Sequence, residues 1–413
     1  VVVTHPCRGI ALAGGGPLGA IYEIGALAAI GEALDGFDPT DCGVYVGVSS
    51  GGFIVAGLAN GLSPKSMHEM FIESDAADDP FEPDLLLRPA LGEYASRLAS
   101  VPDLLASAAR NYLARGRSRG FFESFGRLAR ALPVGVFDNA GVGAYLTQLL
   151  SGPKRTNDFR KLKHKLFLVA TDIDTGASVP FGAPGWDDVP IARAVQASAA
   201  LPGLFPPVEI GGRFYVDGAL NKTLHASVAL REGAKLLLCV NPLVPFDARL
   251  AASRTHRKEV SIVQGGLPSI MSQTLRTVMY SRMQVGMERY RKDYPDADVV
   301  LFQPDRDDVE MFFTNVFSYS DRRRLCEHAY QRTRDDLRRR RSELRDVLGR
   351  HGISINAKVL ADEQRTLLVR GHRVDRRRVD KLGLTAVELD KTLDRLESLL
   401  KTCAAPVRER PAG

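Results

Sequence analysis

The residues best suited to chemistry are a serine and an aspartate far apart in the chain. Ser49 stands between Gly47 and Gly51 in Gly47-Val48-Ser49-Ser50-Gly51. A serine hydroxyl becomes a nucleophile when a neighbouring base accepts its proton. Small flanking residues let such a serine sit on a tight strand-to-helix turn. Its hydroxyl then projects at the carboxyl end of a sheet, beside a helix N-terminus that favours negative charge. The bland alternative is a Gly/Ser connection without chemistry, since five-residue patterns recur by chance. Asp217 ends an alternating run and is followed by Gly218 and Ala219, so nothing bulky covers its carboxylate. Many Asp-Gly pairs serve only as turns or helix caps. Held within hydrogen-bond reach of a hydroxyl, such a carboxylate is a general base, and burial raises its pKa toward the working range.

A third candidate is Gly14-Gly15-Gly16-Pro17-Leu18-Gly19, between a strand and a helix. Its glycines let backbone amides approach an anion closely, as an oxyanion hole requires. Gly14, Gly16 and Gly19 also match the dinucleotide fingerprint, which wants a carboxylate at the end of the next strand. Here that strand runs into Gly47-Val48-Ser49 and offers none. Two neighbouring strand ends, one with amide donors and one with a nucleophile, suit acyl transfer.

The elements that must position these residues alternate along the chain. Apolar runs at 8–13, 43–46, 165–170, 235–240 and 299–302 read as buried strands, and Ser178–Phe181 pairs with the third across Thr175-Gly176. Helical spacing covers 20–34, 52–59, 136–150, 191–200 and 269–291. Gly211-Gly212 turns a hairpin over 208–217, a helix is expected from Leu220, and 244–267 reads as a loop carrying His256. This alternation predicts an α/β fold of three layers, a mostly parallel sheet flanked by helices. Residues about 62–135 lack strand signals and read as a helical insert. Within it, 114–132 mixes Arg115, Arg117 and Arg119 with Phe121 and Phe122, a pattern that suits either a lipid interface or packing on the sheet. The expected division is a catalytic domain over 1–305 and a basic, mainly helical C-terminal extension over 306–413. Its helices are 321–350 and an amphipathic 385–401 with Leu389, Leu393, Leu396 and Leu400 on one face.

An apolar fraction of 45% and a charged fraction of 25% are those of an ordinary globular protein. Five scattered cysteines without Cys-x-x-Cys argue against a zinc site or a disulfide framework and fit a reducing compartment. The expected location is cytoplasmic, peripheral at a membrane, with no signal peptide or spanning run in view. From Asp321 onward, 24 Lys/Arg face 15 Asp/Glu, a balance of +9 that leaves −3 for the first 320 residues. A basic tail of this kind suits an anionic lipid surface, or is simply a solvated helix. It carries no recognisable nucleic-acid motif.

Taken together, Gly14-Gly15-Gly16 with Gly19, then Gly47-x-Ser49-x-Gly51, then Asp217-Gly218-Ala219 resemble the patatin-like phospholipase family. So do Ala170-Thr171-Asp172 with Thr175-Gly176, and the block Ala197 to Pro207. The resemblance spans about 8–240. It implies a Ser49 nucleophile, Asp217 as base, an oxyanion hole from the amides of Gly14, Gly15 and Gly16, and no metal or cofactor. The implied activity is hydrolysis of lipid carboxylic esters: phospholipase A, lysophospholipase or esterase. The family usually has Arg or Lys where this chain has Leu18, which widens the expected substrates to neutral esters, lysolipids and thioesters. Two alternatives stay open. One is a Ser-His-Asp enzyme of the α/β-hydrolase fold using His225 or His256, although Ser49 follows only two expected strands. The other is a lipid-binding protein of the same fold with weak or no turnover.

Overall fold

The computed structural model describes residues 7–73, 134–255, 261–314 and 319–368. Its centre is an eight-stranded sheet. The strands are β1 (Arg8–Leu12), β3 (Val44–Val48), β4 (Lys165–Asp172), β5 (Ser178–Phe181), β6 (Val208–Ile210), β7 (Arg213–Asp217), β8 (Leu236–Val240) and β9 (Asp298–Phe302). They lie in the order β6-β7-β4-β3-β1-β8-β9, with β5 also on β4. The five strands from β4 to β9 are parallel, whereas β5, β6 and β7 form an antiparallel edge. A separate two-stranded ribbon joins β2 (Leu34–Asp35) to β10 (Ser354–Ile355).

The central strands are near-continuous apolar runs because both faces are covered. Alternate residues point to opposite sides. Ile10, Leu12, Tyr45, Leu166 and Leu238 enter one core, and Ala11, Val44, Val46, Phe167 and Leu237 the other. The first face is covered by α1 (Gly16–Ala33), α2 (Ser50–Ala59), α3 (Pro64–Met67), α4 (Ala140–Leu150) and α5 (Ile191–Ser198). The second is covered by α6 (Ser227–Arg231) and by a longer helix, α8 (Gly266–Asp293), through Met279, Met283, Met287 and Tyr290. Three layers result, as the alternation predicts. Among the described residues no helix is long and apolar enough to cross a membrane.

Several local expectations differ from the structure. Part of 244–267 is helical, α7 (Ala248–Thr255), started by Asp247, whose carboxylate accepts the Leu250 amide at 3.0 Å. The stretch after Leu220 is a 3-10 turn at Gly218–Leu220, and helix resumes only at Ser227. Past β9 come α9 (Glu310–Phe313), α10 (Tyr319–Arg339), α11 (Arg341–Gly349) and α12 (Ala357–Ala361). The expected single helix over 321–350 breaks at Arg340 (φ −93°, ψ 12°), whose guanidinium turns to the Leu301 carbonyl at 2.9 Å.

No break in packing falls at 305/306; the first compact unit runs to Leu368. α10 lies on α1 so closely that a Cβ on Gly25 would strike the Cys326 carbonyl. Tyr330 donates to Glu32 at 2.6 Å, and Arg350 and His351 hold Asp298 at the start of β9. Arg334, 1% exposed, donates to the carbonyls of Val359 and Asp362. The positive balance of this region therefore includes arginines that tie carbonyls inside the body. Most of the expected insert, including 114–132, and the amphipathic 385–401 lie outside the described residues.

Candidate active site

The register of the sheet sets the site. Leu12 pairs with Gly47, so the loop after β1 and the turn after β3 leave neighbouring strand ends. Val48 pairs with Val169 and Ala170 with Asp217, so Ser49 and Asp217 flank β4 at one level.

Ser49 sits on the sharp strand-to-helix turn at φ 53°, ψ −126°. A non-glycine residue in that region costs about 1–3 kcal/mol and persists only where its surroundings fix it. They do so on both sides of the residue. The Ser49 amide donates to Ser198 Oγ at 2.8 Å, and Ser198 Oγ donates in turn to the Val169 carbonyl at 2.6 Å. The Ser49 carbonyl accepts from Gly52 and Phe53 in the first turn of α2. Gly47 and Gly51 are required sterically. A Cβ on Gly47 would enter Val55 and the Gly52 backbone, and one on Gly51 would enter the backbone of Leu12 and Ala13.

The glycine loop approaches from β1. A Cβ on Gly14 would lie 2.9 Å from Ser49 Cβ and 3.5 Å from Ala219 Cβ, so the bare backbone of Gly14 passes against the serine. Gly15 and Gly19 press together against Pro242, and Gly16 (φ 59°) opens α1 with Pro17 in its first turn. The first amides of a helix have no partner within it, and those of α1 open at the same end of the sheet as the Ser49 turn. Leu18 is partly buried against the core.

Asp217 ends β7, 3% exposed. Its Oδ1 accepts the Ala219 amide at 2.8 Å. Burial pushes its pKa up to about 6, against the smaller downward pull of the Ser49 side chain and the Ala219 amide. Gly218 lies directly under Val169, so only a residue without a side chain fits between Asp217 and Ala219. His225, one histidine of the alternative triad, is buried with Nε2 at 3.1 Å from the Gly218 carbonyl. Burial lowers its pKa to about 4, so it is neutral. His256 lies outside the described residues.

The structure therefore brings together Ser49, Asp217, the Gly14 loop, Gly47, Gly51, Gly218 and Ala219. Sequence reasoning passed over Ser198. Its signals were its place in the family-like block Ala197 to Pro207 and a short helix of small residues stopped by Leu201-Pro202, an element suited to close approach to a strand end.

A family model described as patatin-like phospholipase matches residues 10–230, more than half of the chain. The chain belongs to the patatin-like phospholipase family. Solved structures similar to it include VipD from Legionella pneumophila, at 15% identity over 80% of this chain and 66% of that one, TM-score 0.37. The type III effector ExoU is similar at 15% identity over 81% of this chain and 53% of that one, TM-score 0.34. ExoU of Pseudomonas aeruginosa in complex with SpcU is similar at 18% identity over 69% and 52%, TM-score 0.27. The chain thus spans about half to two thirds of the length of these proteins. In this patatin-like chain both the serine turn and the aspartate fall inside the matched residues, and α10 to α12 lie beyond them.

Proposed function

We propose that this protein hydrolyses carboxylic ester bonds of lipids through a Ser49–Asp217 dyad and an acyl-enzyme. The observation that carries the reading is the buried Asp217 carboxylate level with the Ser49 turn across Ala170, with the Ser49 side chain near enough to draw its pKa down, while the nearby His225 is turned to the Gly218 carbonyl. Asp217 takes the proton as Ser49 Oγ attacks the ester carbonyl carbon. The carbonyl oxygen becomes an oxyanion facing the amides of Gly14, Gly15 and Gly16. Collapse breaks the ester C–O bond, and the leaving alkoxide recovers the proton from Asp217. Water, deprotonated by Asp217, then attacks the acyl-enzyme and releases the fatty acid and free Ser49. With a pKa of about 6, Asp217 is ionised at neutral pH yet basic enough to accept a proton in the transition state. Leu18, packed on the core, leaves the glycine loop without the usual cation, which favours esters that lack an anionic headgroup.

The test is hydrolysis of short- and long-chain p-nitrophenyl esters by the parent protein, Ser49→Ala and Asp217→Asn. The proposal expects both folded variants to lose nearly all turnover and the long chain to be preferred. Retention of most activity in Asp217→Asn would mean that another base serves Ser49. A parent inactive on every ester, with lipid vesicles present, would favour a binding protein on this fold.

A further inference from the structure

Glu23 is a buried acid for which the proposed chemistry has no use. It lies in the second turn of α1, 0% exposed, and neither of its carboxyl oxygens has a hydrogen-bond partner among the described residues. Burial holds its pKa well above the ordinary 4.5, and no charged neighbour among the described residues offsets it. The group is therefore a neutral acid, with one O–H donor and acceptor capacity besides. An apolar side chain of the same size would cost the core less, so stability does not account for a carboxyl at this place.

Helix geometry sets the direction in which Glu23 faces. Gly25 faces α10, where its Cβ would strike the Cys326 carbonyl, and Glu23 stands about 200° around the helix from it. Gly19, one turn earlier, stands only about 40° from Glu23. A Cβ on Gly19 would lie 3.1 Å from Ser50 Oγ and 3.0 Å from Pro242 Cγ. Helical side chains lean toward the N-terminus, so that of Glu23 reaches back over Gly19. Ser50 is the first residue of α2, and its Oγ is likewise buried without a partner among the described residues. Two carboxyl oxygens and a hydroxyl on facing helices are a set of polar atoms that one buried water joins. The position gives such a link a use. α1 opens from the glycine loop and α2 from the Ser49 turn, so a bond between them ties the oxyanion donors to the nucleophile.

We propose that Glu23 is a positioning residue: through one buried water it bonds Ser50 Oγ and locks the serine turn against the glycine loop. The inference rests on the hydrolase reading for its purpose, and part of its test is independent of turnover. Glu23→Met keeps the volume and removes the polar atoms. It is expected to lower kcat on a soluble short-chain ester ~10–100-fold with KM within ~3-fold of the parent. The amides of Ser49, Gly52 and Phe53, bonded to Ser198 Oγ and to the Ser49 carbonyl, report the turn directly. Their hydrogen exchange is expected to quicken at least ~10-fold in Glu23→Met, while the thermal midpoint stays level or rises. Glu23→Gln, which like the neutral acid both donates and accepts, is expected to keep kcat and exchange within ~3-fold of the parent. Ser50→Ala cuts the same link from its other end, so Glu23→Met combined with Ser50→Ala is expected to be no worse than Ser50→Ala alone. Parent-like kcat and exchange in Glu23→Met, a Glu23→Gln no better than Glu23→Met, losses that multiply in the double variant, or a midpoint that falls in step with activity overturns the proposal. A parent without turnover that shows the expected exchange pattern removes the hydrolase reading and leaves the link standing.

Discussion

Replacing Asp217 by Asn should abolish activity and stabilise the protein at the same time, and both effects follow from one buried carboxylate. Burial holds the native pKa at about 6 against an ordinary value of 3.8. Two units correspond to ~3 kcal/mol. The sign follows from proton binding. Between pH 4 and 6 the folded chain holds a proton at Asp217 that the unfolded chain has released. Stability from this group is therefore present in acid, falls as pH rises, and is fully lost above about 6. Asn carries no such penalty. Urea denaturation of parent and Asp217→Asn at pH 4.5 and 7.5 gives a double difference in which all other groups cancel. The expected value is ~2 kcal/mol in favour of the variant at the higher pH, since part of the ~3 kcal/mol is already expressed at pH 4.5. On a soluble ester, kcat/KM of the parent should fall tenfold per pH unit below about 6, and Asp217→Asn should lose ~10²–10⁴-fold at pH 7. A misfolded variant would lose activity and stability together. A double difference near zero, or an activity inflection near pH 4, would refute the claim that Asp217 is desolvated and serves as the base.

Other expectations test neighbouring parts of the structure. Ser198→Ala removes both the acceptor of the Ser49 amide and the donor to the Val169 carbonyl. It should lower kcat ~10–100-fold with KM changed less than ~3-fold, whereas a purely structural role would lower only the denaturation midpoint. His225 holds positive φ, which Asn tolerates. His225→Asn should keep kcat/KM within ~3-fold, and a loss of ~10³-fold or more would restore the histidine triad. Gly25→Ala places a methyl against the Cys326 carbonyl. It should destabilise by ~3 kcal/mol or more in thermal or urea unfolding, and a neutral result would mean that α10 does not pack tightly on α1.

What could be read from the sequence, and what could not, divides along the range of the interactions. Parallel strands buried on both faces announce themselves as continuous apolar runs such as Leu236–Val240. The glycines around Ser49 reveal a tight turn because nothing larger fits. Ser198 was invisible because its role exists only once the end of α5 meets the ends of β3 and β4. The ending of the body at Leu368 was hidden for a different reason. Arg334 and Arg340 are charged and sit in a basic run, so they read as solvated, yet their guanidiniums satisfy carbonyls of Val359, Asp362 and Leu301. α7 was masked by Pro242 and Pro245 just upstream, although Asp247 caps it.

The direction of β7 explains how an aspartate at a strand end comes to lie level with Ser49. In the parallel part of the sheet, each strand runs toward the carboxyl end, where the Ser49 turn lies. β7 runs the other way: Arg213 and Phe214 start exposed, paired with β6 alone, and Tyr215, Val216 and Asp217 are buried. Its last residue therefore arrives inside, level with Ser49 across Ala170. A parallel strand in the same place would carry its last residue away from the level of Ser49, toward the position that Asp172 takes at the end of β4. The antiparallel edge is thus part of the proposed chemistry, because reversing one strand is what brings the base back level with the serine.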